Sequence, residues 1–479
     1  MIRLTLLYFV VGSLCIFAFK DWFKSLCGLI LLMAFVEHPD MPKGLLDIQG
    51  LSPWNVLMGC ILSSCAWHWK KEQLSWDMPA KINAMLILFV TIMIIAFVRM
   101  ITDTGGIEEY FMLTGRTAPS KGALTSEFLV NTMKWMIPGA LLFVGCKDER
   151  KFRLGLYSVL GVYVILAVQV IRWMPLDGLV GGDDLADRAL RVLTREIGYH
   201  RVDLSMILAG AFWAFVATRS YVKSASARLL YPLWMSLVFL GQALTGGRAG
   251  YVTWAAVGLV LAWLRWRRYL ILAPIAIVLL IAFFPAVQER MMQGFDSKSM
   301  DNRGNDVEAE WITNDKIDLY TVTAGRVIAW PYVIEKIKEK PLLGHGRRAM
   351  QRTGLSRELR VGLGESFPHP HNAYLQFIFD NGLAGFMVVM VLFGHFVVYS
   401  MRLLRDKECK DSIAIGGTCL ALLLALAVAS MGSQTFYPRE GTVGMWCAIG
   451  MMMRMFVLKQ RQRDIEAAVP VLRNSATDD

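Results

Sequence analysis

Histidine is scarce in this 479-residue chain and poorly placed for metal chemistry. There are seven, none in a His-Glu-x-x-His array and no two of them four residues apart, and no clustered aspartate motif accompanies them. A helix-borne zinc or carboxylate-bound cation therefore has no footing in the sequence. His369 and His371 flank Pro370 and offer two ligands, but the proline and the lack of a third ligand argue against zinc. Cysteine is equally uninformative as chemistry. Six of the eight (Cys15, Cys27, Cys60, Cys65, Cys419, Cys447) fall inside apolar runs, while Cys146 and Cys409 border basic loops. With none in a long polar loop, no disulfide framework or thiolate metal site is implied. A Gly-His-Gly-Arg-Arg-Ala stretch at 344–349 has a glycine-loop flavour, yet it follows a helical pattern and lacks the rest of a dinucleotide fingerprint. No internal repeat and no Ser/Gly-rich linker is visible.

What the chain has in abundance is apolar sequence. It is 55% hydrophobic, with a mean hydropathy of +0.44, and its runs have the length of membrane helices, roughly 17–25 residues. They lie near 4–19, 22–36, 51–69, 80–101, 126–146, 154–174, 203–218, 229–247, 250–264, 269–288, 382–400, 412–431 and 441–458. The first two are short and poorly separated, so 12 or 13 transmembrane helices are expected in an all-α polytopic membrane protein. The N-terminal run has one early arginine and no small-residue cleavage site, so it reads as a retained span rather than a signal peptide. The net charge of +11 does not call for nucleic acid, because the basic residues cluster at span ends. Lys70–Lys71, 147–153, 219–228, 265–268, 402–410 and 459–463 all fall on one side when the spans from 51 onward alternate, which marks that side as cytoplasmic. The expected organisation is an N-terminal bundle over 1–288, a large loop or cap domain on the opposite side over 289–381, C-terminal helices over 382–458 and a cytoplasmic tail over 459–479. The span after the cap is expected to begin at Gly382, since Asp380 and Asn381 are costly in hydrocarbon.

The outer side receives an unusual set of polar residues. Arg248 sits in a Gly-rich turn, Thr245-Gly-Gly-Arg-Ala-Gly-Tyr251. Arg326 opens an amphipathic helix that Pro341 ends. His371 heads the helix leading into the next span, with His369 just before it. Arg439 and Glu440 precede the last span, Lys134 lies within one, and Arg201 and Asp203 open another. Each has a plain reading: Arg248 and Lys134 as snorkelling side chains, Arg326 as a surface arginine, Arg201 and Asp203 as a pair with each other, and the remaining histidines, including His200, as structural. Together they suggest anion chemistry. Arginine forks hold phosphate oxygens, and a neutral imidazole takes a proton from an attacking hydroxyl. The outer face has no ATP pool, so a transfer there needs a preactivated donor. A lipid-linked pyrophosphate sugar is one.

At these residues the chain resembles the O-antigen ligase and polymerase superfamily. The likeness rests on "TGGRAGY" (245–251), "TAGRVIAWPYVIEKIKEKPLLGHG" (323–346) and "HPHNAYLQFIFDNGLAG" (369–385). The resemblance implies a GT-C-like bundle with a periplasmic cap. It implies transfer of a glycan from undecaprenyl pyrophosphate to an acceptor hydroxyl, inverting, without metal or other cofactor. His371 would be the acceptor-activating base, and Arg248 and Arg326 would hold the pyrophosphate. Lys134, His369, Arg439 and Tyr374 would be further substrate-binding residues. The acceptor is expected to be lipid A-core, as in a ligase. A second repeat unit, as in a polymerase, or a protein hydroxyl fits the same donor chemistry. An inner-membrane setting is implied, with the site facing the periplasm and the C-terminus the cytoplasm. Where relatives carry glutamate before the Gly-x-x-Gly stretch, this chain has Asp380-Asn381. A lipid-linked glycan transporter is a more distant alternative; it predicts inverted repeats and helices broken near the midplane. A non-catalytic scaffold is another.

Overall fold

Each of the thirteen apolar runs is helical in the computed structural model. The structure describes residues 2–42, 44–45, 48–174, 182–222, 224–292, 313–314, 317–318, 326–364, 366–432 and 434–475. The solvent dictates this outcome: in hydrocarbon a backbone amide finds no water, and a helix satisfies its own backbone within one segment. Among the described residues the strands are two antiparallel pairs of two residues each, Gly44–Leu45 with Ile48–Gln49 and Thr313–Asn314 with Ile317–Asp318. The helices are α1 (Ile2–Ala18), α2 (Trp22–Leu32), α3 (Pro53–His68), α4 (Ala80–Thr102), α5 (Gly105–Leu113), α6 (Lys121–Gly145), α7 (Glu149–Trp173), α8 (Gly182–Glu196), α9 (Arg201–Thr218), α10 (Ala225–Leu244), α11 (Arg248–Leu264), α12 (Tyr269–Phe283), α13 (Pro285–Met292), α14 (Trp330–Glu339), α15 (Leu355–Leu363), α16 (Ala373–Leu404), α17 (Lys410–Ala429) and α18 (Val443–Ser475).

The expected 12 or 13 full-length spans are not what the described residues contain. Seven helices are long and apolar enough to cross a membrane, or eight if α12 and α13 count as one. Four apolar helices are shorter, at 10–17 residues. Local chemistry sets the limits of these helices and of their neighbours. Asp21 caps α2, which at 11 residues rises about 16 Å against roughly 30 Å of hydrocarbon. Ser52 and Pro53 start α3. Between α12 and α13 the chain bends by 113°, where Pro285 has no N–H to continue the ladder.

At the centre, α9 and α17 lie side by side, each with 83% of its apolar window buried. Gly210 on α9 faces Ala425 on α17 so closely that a methyl group on it would collide; small residues of this kind let membrane helices approach without a hydrophobic drive. By contrast, α4 and α16 are 28% buried and turn Ile87, Leu88 and Met387 outward.

The basic loops gather at one end. Lys151 pairs with Glu72, Arg454 and Arg461 with Asp77, and Lys459 with Asp406. Arg265 donates to the carbonyls of Leu404 and Asp406, and the Arg153 guanidinium lies over the Tyr221 ring. The other end collects Asp103 with Arg352, Glu109 with Arg357, and Asp203 with Arg439. Near it, residues 326–367 hold a small apolar core of their own, built from Ala329, Val333, Met350, Leu355, Leu359 and Phe367 and closed by Phe379 of α16. The expected cap domain is described only in part, since the readings that fall on 293–312 and 319–325 lie outside the described residues.

The cap joins the membrane helices through a backbone seam. Within α16, Gly382 leaves the helical region (φ 69°, ψ −178°), just where the span was expected to begin. The freed groups find partners on Pro341–Gly346. Leu383 and Ala384 N–H donate to Pro341 and Leu342 carbonyls at 2.8 and 3.2 Å, and His345 and Gly346 N–H donate to Phe379 and Asp380 carbonyls at 2.8 and 2.7 Å. Arg99 of α4 closes the seam from the side by donating to the Leu343 and Gly344 carbonyls, both at 2.7 Å. No side chain fits at Gly344 or Gly382. Both have positive φ, a Cβ on Gly344 would sit 2.5 Å from the Gly382 nitrogen, and one on Gly382 would run into the Leu342 carbonyl. Gly382→Ala should therefore cost at least about 1–3 kcal/mol from backbone conformation and overpacking. A thermal midpoint in detergent equal to the wild type's would show that the break is not needed.

Candidate active site at the membrane boundary

The histidine pair is held from three sides. Asn372 caps α16, its side-chain oxygen accepting from the N–H groups of Tyr374 and Leu375. Ala373 N–H donates to the Ser430 carbonyl at the end of α17 (2.7 Å), and Trp330 Nε1 of the cap donates to the Pro370 carbonyl (3.0 Å). These ties force His371 into left-handed backbone (φ 54°), a conformation that costs a non-glycine residue energy and concentrates at functional sites. His371 N–H donates to His369 Nδ1 (3.2 Å), and the two rings lie 3.9 Å apart. The Nδ1 of His371 is buried and unpartnered.

Arginines set the field here. Burial, the neighbouring His369, Arg326 and then His200 push the His371 imidazole down to about 2. Burial and then Arg326, Arg439 and Arg348 push His369 down to about 4. Both rings are neutral at physiological pH. His200, set aside as structural in the sequence, caps α9 with its Nδ1 and lies within electrostatic reach of Asp203, Arg201, Arg326 and Arg439.

Arg326 is thus next to the histidines, half-buried, in a short helical turn (Arg326–Ile328) before α14. Arg248 starts α11, half-buried, one residue past the turn that two other arginines hold: Arg201 Nη1 and Arg290 Nε both donate to the Gly246 carbonyl (2.9 and 3.2 Å). Arg326 acts on Arg201 through space, so Arg201 and the turn link the two ends of the cluster. Arg201 does not pair with Asp203, contrary to one sequence reading. Asp203 instead accepts from Arg439 (3.0 Å) and Gln434 (3.0 Å), and Arg439 also binds Glu440 (2.8 Å). Tyr374 points its hydroxyl at the Ala427 carbonyl (2.7 Å) and packs on Phe436, tying α16 to α17.

Beside the cluster opens a cavity of about 1080 Å³, with His369, Arg439 and Lys134 in its wall. Lys134 lies over the rings of Trp135 (4.2 Å) and Trp54 (5.4 Å). The wall also holds Arg347 and Arg348, directly after the glycine seam, and Asp380. Asp380 accepts from Ala349 N–H (3.0 Å) and the Tyr437 hydroxyl (3.1 Å). For Arg347 and Arg348 the sequence signal is an arginine pair directly after Gly344-His345-Gly346.

These features define an all-helical polytopic membrane protein with an arginine- and histidine-lined polar site at one end. Residues 233–390 match the family model for O-antigen ligase, a stretch that includes Arg248, Arg326, the seam and the histidine pair. The match spans about a third of the chain, and it relates this segment to the O-antigen ligase superfamily. No curated protein matches the chain.

Because folded His369 and His371 resist protonation, their contribution to stability is present above the ordinary imidazole value near 6.5 and is lost as pH falls from there through about 4. The thermal midpoint in detergent should drop by several degrees between pH 7 and pH 4.5. A double variant, His369→Gln with His371→Gln, should show a shallower drop. An equal slope would place the acid sensitivity elsewhere.

Proposed function

We propose that this protein is an inner-membrane glycosyltransferase that moves a glycan from undecaprenyl pyrophosphate to an acceptor hydroxyl on the periplasmic face. We read it as a ligase acting on lipid A-core; a polymerase or a protein O-oligosaccharyltransferase would use the same donor chemistry. The observation that carries this reading is His371 in left-handed backbone, its Nδ1 buried without a partner and within the field of Arg326, inside the segment that matches the ligase family.

The step is a displacement at the anomeric carbon. The acceptor hydroxyl gives its proton to His371, its oxygen forms the new glycosidic bond, and the bond to the pyrophosphate oxygen breaks with inversion. Arg326 and Arg248 hold the leaving pyrophosphate and offset the charge that grows on it. The basic end of the bundle faces the cytoplasm by the rule that sets membrane orientation, which puts this site and the cap outside and the α18 tail within. The scheme routes nothing through a metal.

The field explains how so weak a base works. Burial first, then His369, Arg326 and His200, hold the His371 imidazole low. A bound pyrophosphate cancels that positive field and adds a negative one, so the same imidazole becomes more basic when the donor is in place. Inorganic pyrophosphate should raise the His371 titration midpoint seen by NMR, and Arg326→Gln should raise it without ligand. No movement in either case would separate Arg326 from the base. His371→Ala should lower transfer by 10²- to 10⁴-fold, the usual contribution of a general base, while the protein still inserts. Arg326→Lys and Arg248→Lys should each lose at least tenfold, because lysine lacks the planar fork. Wild-type glycan ladders from these variants in a reconstituted assay with lipid-linked donor would overturn the assignment.

A further inference from the structure

The cavity beside the histidines is built for more than the passage of lipid. A π-helical turn, Ser126–Val130, interrupts α6 and supplies part of its wall; such turns are rare and recur at functional sites. Trp54 also lines it. This side chain is 2% exposed, and its indole N–H is buried with no partner. An unpartnered buried donor costs free energy until an acceptor arrives.

The charges in the wall divide into settled and unsettled ones. Arg439 and Glu440 bind each other, and both oxygens of Asp380 are taken by Ala349 N–H and Tyr437. Lys134, Arg347 and Arg348 are different. Lys134 makes one long hydrogen bond, to Asn55 (3.4 Å), and otherwise rests on tryptophan rings. Arg347 stacks on Tyr437 at 3.2 Å, and Arg348 lies between Phe111 and Phe128 at 5.5 and 5.1 Å. None of the three has an ion pair among the described residues. The acids of the wall, which include Glu37 and Glu127, reach these cations only through space: Glu37 and Glu440 act on Lys134, Glu127 and Asp380 on Arg348, and Asp380 on Arg347. Cations held by aromatic faces keep their hydrogen-bonding positions open.

Aromatic faces, unspent cations and neutral amides in one cavity are the components of saccharide recognition with an acidic handle. We propose that the cavity takes an anionic saccharide, a sugar bearing phosphate or carboxylate, whose charge is held by Lys134, Arg347 and Arg348 while Trp54 donates to a ring or acid oxygen. This deepens the transfer reading above and rests on it for the role of the bound sugar as acceptor; the binding itself does not depend on that role.

The test uses the full-length protein in detergent and equilibrium dialysis with three probes: mannose 6-phosphate, digalacturonic acid and the neutral sugar maltose. At least one acidic sugar should bind, and maltose at least tenfold more weakly. Lys134→Gln and Arg347→Gln should each weaken acidic-sugar binding roughly ten- to hundredfold, the range of a lost charged hydrogen bond. Lys134→Arg should keep most of it, which separates lost charge from lost fold. Arg326→Gln should bind the acidic sugar as the wild type does while losing pyrophosphate. Failure of Arg326→Gln to affect transfer would sink the proposed function and leave the cavity assignment standing. Three outcomes would overturn the cavity assignment: equal binding of maltose and the acidic sugars, unchanged affinity in both glutamine variants, or inorganic phosphate competing as well as mannose 6-phosphate.

Discussion

The seam between Pro341–Gly346 and Phe379–Ala384 is the constraint on which the site depends. A membrane helix that breaks at Gly382 exposes backbone groups where water is scarce, and each group left unpaired would cost several kcal/mol. The cap segment supplies the missing partners, and in doing so it becomes part of the membrane bundle. Because backbone meets backbone, glycine is required on both strands of the contact, at Gly344 and Gly382. Arg99 of α4, far away in the chain, locks the arrangement by taking carbonyls that neither strand uses.

Three things follow from that anchor. Helix α14 is placed so that Trp330 reaches the Pro370 carbonyl and fixes the histidine pair from the cap side. Arg347 and Arg348 emerge from the seam directly into the cavity wall. Asp380, which no lipid-facing position would tolerate, finds an N–H from Ala349 and a hydroxyl from Tyr437. The Asp380 carboxylate serves the seam, as it is spent on these two bonds. The polar cluster is thus a consequence of how a broken helix satisfies its backbone.

Electrostatics supplies the second layer. Arg201, Arg290, Arg326, Arg439 and His200 crowd one end of the bundle, and their mutual repulsion must be offset. The Gly246 carbonyl takes two of the arginines and Asp203 takes a third. Arg326 retains its field at the histidines. The proposed transfer draws on this field: a site charged in this way suits an anion, whose arrival would make the neighbouring imidazoles more basic.

The sequence by itself determined that this is a helical membrane protein, because apolar runs can satisfy their backbones in lipid in few other ways. It also put the basic loops at one end and separated the polar cluster from them, since alternation of spans follows from counting. The cost of Asp380 and Asn381 in hydrocarbon set the expected start of the span at Gly382; the helix begins earlier, at Ala373, and at Gly382 its backbone breaks. What only the tertiary structure decided were the matters of reach. Among the described residues, helices stopped short of the membrane's width reduced the full-length spans to seven or eight. Which carboxylate meets which arginine was another: Asp203 lies two residues from Arg201 but binds Arg439, because a helix start points its side chains apart while the fold brings a distant turn to meet them. His200, Arg347 and Arg348 looked ordinary in the sequence for the same reason. A residue's field acts through space, and the spacing that matters is set by packing between helices that the chain order does not display.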